Sequence, residues 1–351
     1  MTAPSSRTPG ASRANTVVRT GRPRLLDVAQ AAGVSIMTVV RVLHEPNKVA
    51  PGTRSRVQRV LTETGYTPDL IARGLASKRS GMVAAIIPVL TNSLIAEIMQ
   101  GLTDALAPAG VHLLLGASGF SAKEEEALVR AFLSRRVDGV FLTGMVHTTE
   151  TVRMLKAAGI PVVEGGNLGD DPIDMVVGYD NVKAARAVTR YLIERGYRAI
   201  GYIGAHPQDN DRARDRRRGY EAALAAAKRK RDPDVCVETT LDIDAGARAM
   251  ATLLERHPKL SAVFCSADAL AVGALFECQR HGLQIPRQIA IAGFDDIPIA
   301  AQVVPSLSTL RVPRYEIGHI AGAMICDRLM GRPIEERIVD TQFELVPRDS
   351  A

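Results

Sequence analysis

No stretch of the 351-residue chain is apolar for the length a bilayer demands, so no membrane-spanning helix is expected. Cysteine is sparse: Cys236, Cys265, Cys278 and Cys326 all fall in the second half, and none has metal-ligand spacing. They read as reduced thiols of a cytoplasmic protein rather than as a disulfide frame. The seven histidines are scattered, which offers no metal cluster. Phosphate-binding loops are missing too. No GxGxxG follows the first expected strand, there is no P-loop, and no GxSxG turn supplies a nucleophile. These absences argue against an enzyme, and no cofactor is expected. The first residues carry arginines but no apolar core segment, so they do not read as a secretory signal.

Charge is unevenly shared. Residues 1–80 hold 13 Lys+Arg against 4 Asp+Glu, a net +9, while the remainder holds 31 against 34. A basic head on a nearly neutral body points to a nucleic-acid partner. Residues 1–23 are rich in Ser, Thr, Ala and Arg, without acid or periodicity, and are expected to be a disordered basic tail. Within LLDVAQAAGVSIMTVVRVL, Val28, Ala29 and Ala32 recur at helical spacing, then Val39, Val42 and Leu43. Gly33 and Ser35 supply a turn and a helix cap between them, so residues 25–43 predict a helix-turn-helix, with a helical hairpin buried in a core as the alternative. Pro51 opens a third helix carrying Val57, Val60 and Leu61 on one face, with Gly65 beyond its end. Residues 24–68 are thus expected to form a DNA-binding headpiece, and residues 69–79 a plain linker or, on the strength of Leu70, Ile71 and Leu75, a marginal hinge helix.

From residue 80 to 351 the pattern changes. Apolar runs at 83–88, 111–115, 140–143, 161–164, 175–179, 199–204, 235–239, 262–266 and 289–293 alternate with amphipathic segments. The expectation is an α/β body with parallel sheets in two lobes.

The segments DVAQAAGVS, MTV, RVL, TRSRVQRVL, GYTPD and ARGLASKRSG, in this order and spacing, resemble the headpiece and hinge of the lactose-repressor family of bacterial transcription regulators. The resemblance implies that Ile36, Met37 and Arg41 face base edges, and that Thr38, Asn47, Thr53 and Arg54 meet phosphates. Val40 departs from a common Ser, which puts one phosphate contact of that pattern in question and suits packing within the headpiece instead. Ala72 and Leu75 would enter the minor groove, Leu75 as a wedge between bases. The body would be a periplasmic-binding-protein-like pair of lobes closing on an effector. The main crossover is expected near Arg195, with a return after Pro305 and a late helix over 313–330 rejoining the first lobe. Two heads in a symmetric homodimer would read two half-sites of double-stranded operator DNA.

Open α/β sheets bind ligands at the carboxyl ends of their strands. Asn92, Asn181, Phe294 and Asp295 stand at such ends, although Asn92 and Asn181 also suit helix caps and Phe294 suits a core. Arg216 precedes Gly219-Tyr220 at the family's ligand-binding spacing; its neighbours Arg212, Arg214, Arg217 and Arg218 read equally as a solvated basic face. Asp268 is expected to cap a helix at the cleft edge. LTGMVHT, GIPVVE, VGYDNVKAAR, VFCSADALAVGALFECQRHGLQIP and IAIAGF resemble the gluconate-utilisation repressors within the family. His147 and Glu164 belong to these segments and join the effector-binding set, although His147 suits a core or surface position equally. The expected protein is a repressor released by a small sugar acid, whose carboxylate suits a guanidinium. A regulator answering to a neutral sugar, or a transport-type sugar-binding protein, are the alternatives.

Overall fold

The computed structural model describes residues 23–66, 79–90, 93–208, 210–229 and 232–351. Ala72, Leu75 and Asn92, with most of the expected tail and hinge, lie outside the described residues. The chain divides into two compact units, 1–76 and 77–351.

In the first unit, α1 (Leu25–Ala32) and α2 (Ile36–His44) meet at 102°. The Asp27 carboxylate accepts the Arg24 N–H at 2.8 Å and closes the start of α1. Gly33 ends that helix at φ +62°, a left-handed conformation that costs glycine least. Ser35 then caps α2, its hydroxyl accepting the Thr38 N–H at 3.2 Å. Helix α3 (Pro51–Thr64) starts on Pro51 and stops at the left-handed Gly65. Val28, Ala29, Ala32, Val39, Val42, Val57 and Val60 form the core, so the apolar periodicity maps onto one buried seam.

The second unit has two lobes. Each of the nine expected apolar runs overlaps a strand, β1 (Met82–Ile87), β2 (His112–Ala117), β3 (Gly139–Thr143), β4 (Val162–Gly165), β5 (Met175–Gly178), β6 (Ile200–Ala205), β7 (Cys236–Thr239), β8 (Ala262–Cys265) and β9 (Ala290–Ala292). Three short strands, β10 (Thr309–Arg311), β11 (Ile338–Asp340) and β12 (Glu344–Val346), were not expected. The first sheet is parallel in the order β11-β5-β4-β3-β1-β2, and the second is parallel in the order β7-β6-β8-β9. Strands β10 and β12 form a small antiparallel pair. Helices α4 (Ser93–Leu106), α5 (Ala122–Ser134) and α6 (Thr149–Ala158) belong to the first lobe. Helices α7 (Asn181–Glu194), α8 (Asp211–Ala226), α9 (Ile243–Arg256) and α10 (Asp268–Arg280) belong to the second. The last helix, α11 (Arg314–Leu329), packs along α4 and so rejoins the first lobe.

The crossover expected near Arg195 is corrected by one helix. Because α7 packs along α8, the chain enters the second lobe already at Tyr179 and Asp180. It returns between β10 and α11. It crosses a third time between β11, which pairs with β5, and β12, which pairs with β10.

Candidate functional site

The headpiece presents the start of α2 outward. Ile36 and Met37, side by side, are 44% and 61% exposed, and Arg41 lies one turn further along the same helix. Among the described residues no ion pair engages Arg41, Arg54 or Arg56. Thr38 shares a 2.9 Å hydrogen bond with the Ser35 hydroxyl. Asn47 is exposed, and Thr53 and Arg54 stand in the first turn of α3. Such a surface can offer apolar contacts and a guanidinium to a groove, with hydroxyl, amide and charged groups beside it for phosphates.

In the second unit a cleft of about 730 Å³, its mouth included, opens where both sheets end. Pro88, Thr143, Gly166 and Tyr179 line it from the carboxyl ends of first-lobe strands, and Ala205, Ser266 and Asp295 from those of the second. Arg216 is its hub. Its Nε donates to Asn181 Oδ1 at 2.9 Å, Nη1 to the Ser266 carbonyl at 2.6 Å, and Nη2 to the Tyr179 hydroxyl at 2.9 Å. The guanidinium lies 3.8 Å above the Phe294 ring, and Asp295 stands 3.6 Å from Nη2. Burial works against its charge, but Tyr179 and Asp295 more than offset that, so Arg216 stays a cation.

Burial pushes the Asp295 carboxyl up to about 6, although Arg216 and Arg314 oppose the shift. Asp268, behind it, is pushed up to about 8 by burial and by Asp295, against the hydrogen bonds from Thr309 and the Ile297 N–H. Asp268 thus keeps its proton at neutrality and sets no second negative charge beside Asp295. Its expected helix cap is corrected: Asp268 is the first residue of α10, and its carboxyl instead accepts the Thr309 hydroxyl at 2.6 Å and the Ile297 N–H at 2.9 Å.

The structure brings Arg216, Asn181, Phe294 and Asp295 together. Phe294 is wholly buried and acts as the floor under Arg216 rather than as lining. His147 and Glu164 lie elsewhere in the first lobe. His147 Nδ1 is 2.7 Å from Glu125 Oε1 and Nε2 is 3.2 Å from Glu164 Oε1, while Glu164 Oε2 accepts the Ile173 N–H at 2.6 Å. Burial would lower the His147 pKa, but the two carboxylates outweigh it and raise it to about 9, so the imidazolium is held as an internal ion cluster. Of the arginine run, Arg217 pairs with Glu221 and Glu238, and Arg218 with Asp215.

Several lining residues carry no sequence signal of their own. Arg314 opens α11 and bonds Glu97 through Nε and Nη2 at 3.0 Å each, while its Nη1 reaches the Asp295 carbonyl. It therefore ties α4 to the loop after β9, across the lobes. Arg212 pairs with Asp211 at 2.9 Å and also faces the cleft. Tyr179 has one signal, its place at the end of β5, whereas Arg314 has only its position after Pro313. Among the described residues there is no group of His, Cys, Asp and Glu that could hold a metal ion, and no single helix is long and apolar enough to cross a membrane.

Comparison with known proteins agrees with both units. Residues 24–69 match the family described as bacterial regulatory proteins, lacI family, and residues 189–351 match a periplasmic binding protein-like domain. The HTH-type transcriptional regulator GntR of Escherichia coli K12 is 35% identical over 329 residues, which is 94% of this chain and 98% of that protein. A crystal structure of a LacI family transcriptional regulator from Silicibacter pomeroyi superposes with a TM-score of 0.87 at 32% identity, covering 93% of this chain and 99% of that one. The transcription regulator GntR of Chromobacterium violaceum has a TM-score of 0.73 at 36% identity, over 77% of this chain and 98% of its own. A right-angled helix pair with an outward apolar and basic face, a two-lobed body with a polar cleft, and relatives that span nearly the whole chain lead to one conclusion: this chain belongs to the lacI family of bacterial regulatory proteins and is a DNA-binding transcriptional regulator.

Proposed function

We propose that the protein is a repressor whose grip on operator DNA is released by a small sugar acid, gluconate or a phosphorylated or keto derivative of it. The observation that carries this reading is the buried guanidinium of Arg216. Its hydrogen bonds to Asn181, Ser266 and Tyr179 engage three of the five N–H groups a guanidinium offers, which leaves donors for a carboxylate. Arg212 and Arg314 line the same cleft, so anions are favoured over neutral sugars, while the amide of Asn181 and the carboxyl of Asp295 suit hydroxyl groups. The relatives named GntR, together with the segments resembling gluconate-utilisation repressors, narrow the anion to that class.

In this reading residues 24–68 recognise DNA, 69–79 relay the signal, and 80–351 bind the effector and a second copy of the chain. Arg41 reads a guanine edge, Ile36 and Met37 meet thymine methyls, and Thr38, Asn47, Thr53 and Arg54 fix the head on phosphates. Leu75 and Ala72 serve the minor groove. The test pairs two measurements. A gel shift uses DNA upstream of the protein's own operon, with and without gluconate. Calorimetry compares gluconate, 6-phosphogluconate and 2-ketogluconate on the wild type and on Arg216→Gln. Expected are a shift that one of these acids reverses, and loss of that acid's binding in the variant. Release of Arg216→Gln at wild-type effector concentration would refute the assignment of the cleft.

A further inference from the structure

We infer that Asn167 is the positioning residue that ties the occupied cleft to closure of the two lobes. Asn167 follows β4 by two residues, in the first lobe, and is 4% exposed. Its Nδ2 donates to Asp211 Oδ2 at 2.9 Å and to Asp215 Oδ2 at 3.0 Å, and its Oδ1 accepts from Asn181 Nδ2 at 3.1 Å. All three partners are on α7 and α8, in the second lobe. The fourth bond, from the Leu168 N–H to Oδ1 at 3.0 Å, completes the amide's capacity of two donors and two lone pairs.

The same amide stands one step from the cleft's hub. Asn181 Oδ1 accepts from Arg216 Nε, so Arg216, Asn181, Asn167 and Asp211 form an unbroken chain of hydrogen bonds. Asp211 returns it to the first lobe by accepting the Met145 N–H at 2.8 Å. The Asn167 backbone has little freedom to follow its partners. A Cβ on Gly178 would lie 2.4 Å from the Asn167 carbonyl oxygen, so this segment is seated directly on β5. Hinging the lobes apart therefore parts Asn167 from Asp211 and Asp215 together, so that both bonds of one amide nitrogen fail at once. Interactions that fail together make two discrete arrangements rather than a continuum. A ligand that draws on Arg216 shifts Asn181, and through it the weight of these two arrangements.

The coupling half of this inference rests on the effector reading proposed above; the closure half does not. The test uses full-length Asn167→Ala and the isosteric Asn167→Asp, which keeps the packing but sets a carboxylate against Asp211 and Asp215. Without ligand, hydrogen exchange at the Met145 amide should quicken at least tenfold in both variants; wild-type rates would overturn the inference. With gluconate, the factor by which it changes operator affinity, typically 5- to 150-fold in allosteric proteins, should shrink at least threefold. Operator affinity without gluconate should stay within about twofold of wild type. An undiminished factor, or gluconate binding lost as completely as in Arg216→Gln, would also overturn it. If gluconate fails to bind even the wild type, the effector reading falls and the exchange rates alone decide the matter.

Discussion

Replacing Asp268 with asparagine should flatten the pH dependence of the body's stability. In an unfolded chain this carboxyl ionises near pH 4, whereas in the fold it keeps its proton to about 8. Between those values the native state holds a proton that the unfolded state has released, so stability falls as pH rises, by about 1.4 kcal/mol per unit. The stabilisation is complete below pH 4 and gone above 8, in total on the order of 5 kcal/mol. His147 acts with the same sign over a higher window, because its folded pKa of about 9 exceeds the ordinary 6.5. Asp295, at about 6, has finished titrating by neutrality. From pH 7 to 8 the wild type should therefore lose roughly 2 kcal/mol, about half of it through Asp268, which is itself half titrated by pH 8. An asparagine there resembles the protonated acid, since its Nδ2 can donate to the Thr309 hydroxyl and its Oδ1 can accept the Ile297 N–H. Urea denaturation of the full chain at fixed protomer concentration, followed by far-UV circular dichroism across this range, should show the slope halved. A variant with the wild-type slope would refute the reasoning, because Asp268 would then be ionised throughout.

Two further outcomes are expected. Arg41→Ala should weaken binding to a specific site by about 1–3 kcal/mol and barely touch non-specific DNA, whereas Arg54→Gln should weaken both alike and reduce the salt slope by about one, read from binding isotherms at several salt concentrations. Gly219→Ala would place a Cβ 2.3 Å from the Val182 carbonyl oxygen, force α8 off α7 and draw Arg216 from Asn181. It should lower the melting temperature by an amount corresponding to roughly 1–3 kcal/mol and cost gluconate affinity, which calorimetry would measure.

What the sequence revealed was mostly local. The seam of Val28, Ala29 and Ala32 against Val39 and Val42 repeats within two short helices, and Gly33 and Ser35 are turn and cap wherever they stand. Seven of the nine strand runs were legible because strands buried on both faces are apolar without interruption; β2 and β7, at the sheet edges, are partly exposed and showed only short runs. Strands β10, β11 and β12 are three residues each and largely polar or exposed, so no run marked them. The cleft was legible only where a residue stood at a strand end or matched a family spacing, as Asn181, Asp295 and Arg216 did. Arg314 meets Glu97 from 217 residues away, and no local pattern carries such a partner. His147 and Glu164 were picked out by the company they keep in sequence, while their pairing with each other through space was invisible. Helix α7 has one apolar face in either lobe's account, and only its packing on α8 shows which lobe owns it.

The threefold passage of the chain between the lobes has a consequence for anyone dissecting the protein. Neither half is a contiguous segment, so neither can be cloned as a cassette or exchanged with a relative by a single splice. A protease nick in one of the connecting strands would leave two tethers intact, and the halves would stay together until a denaturant parted them.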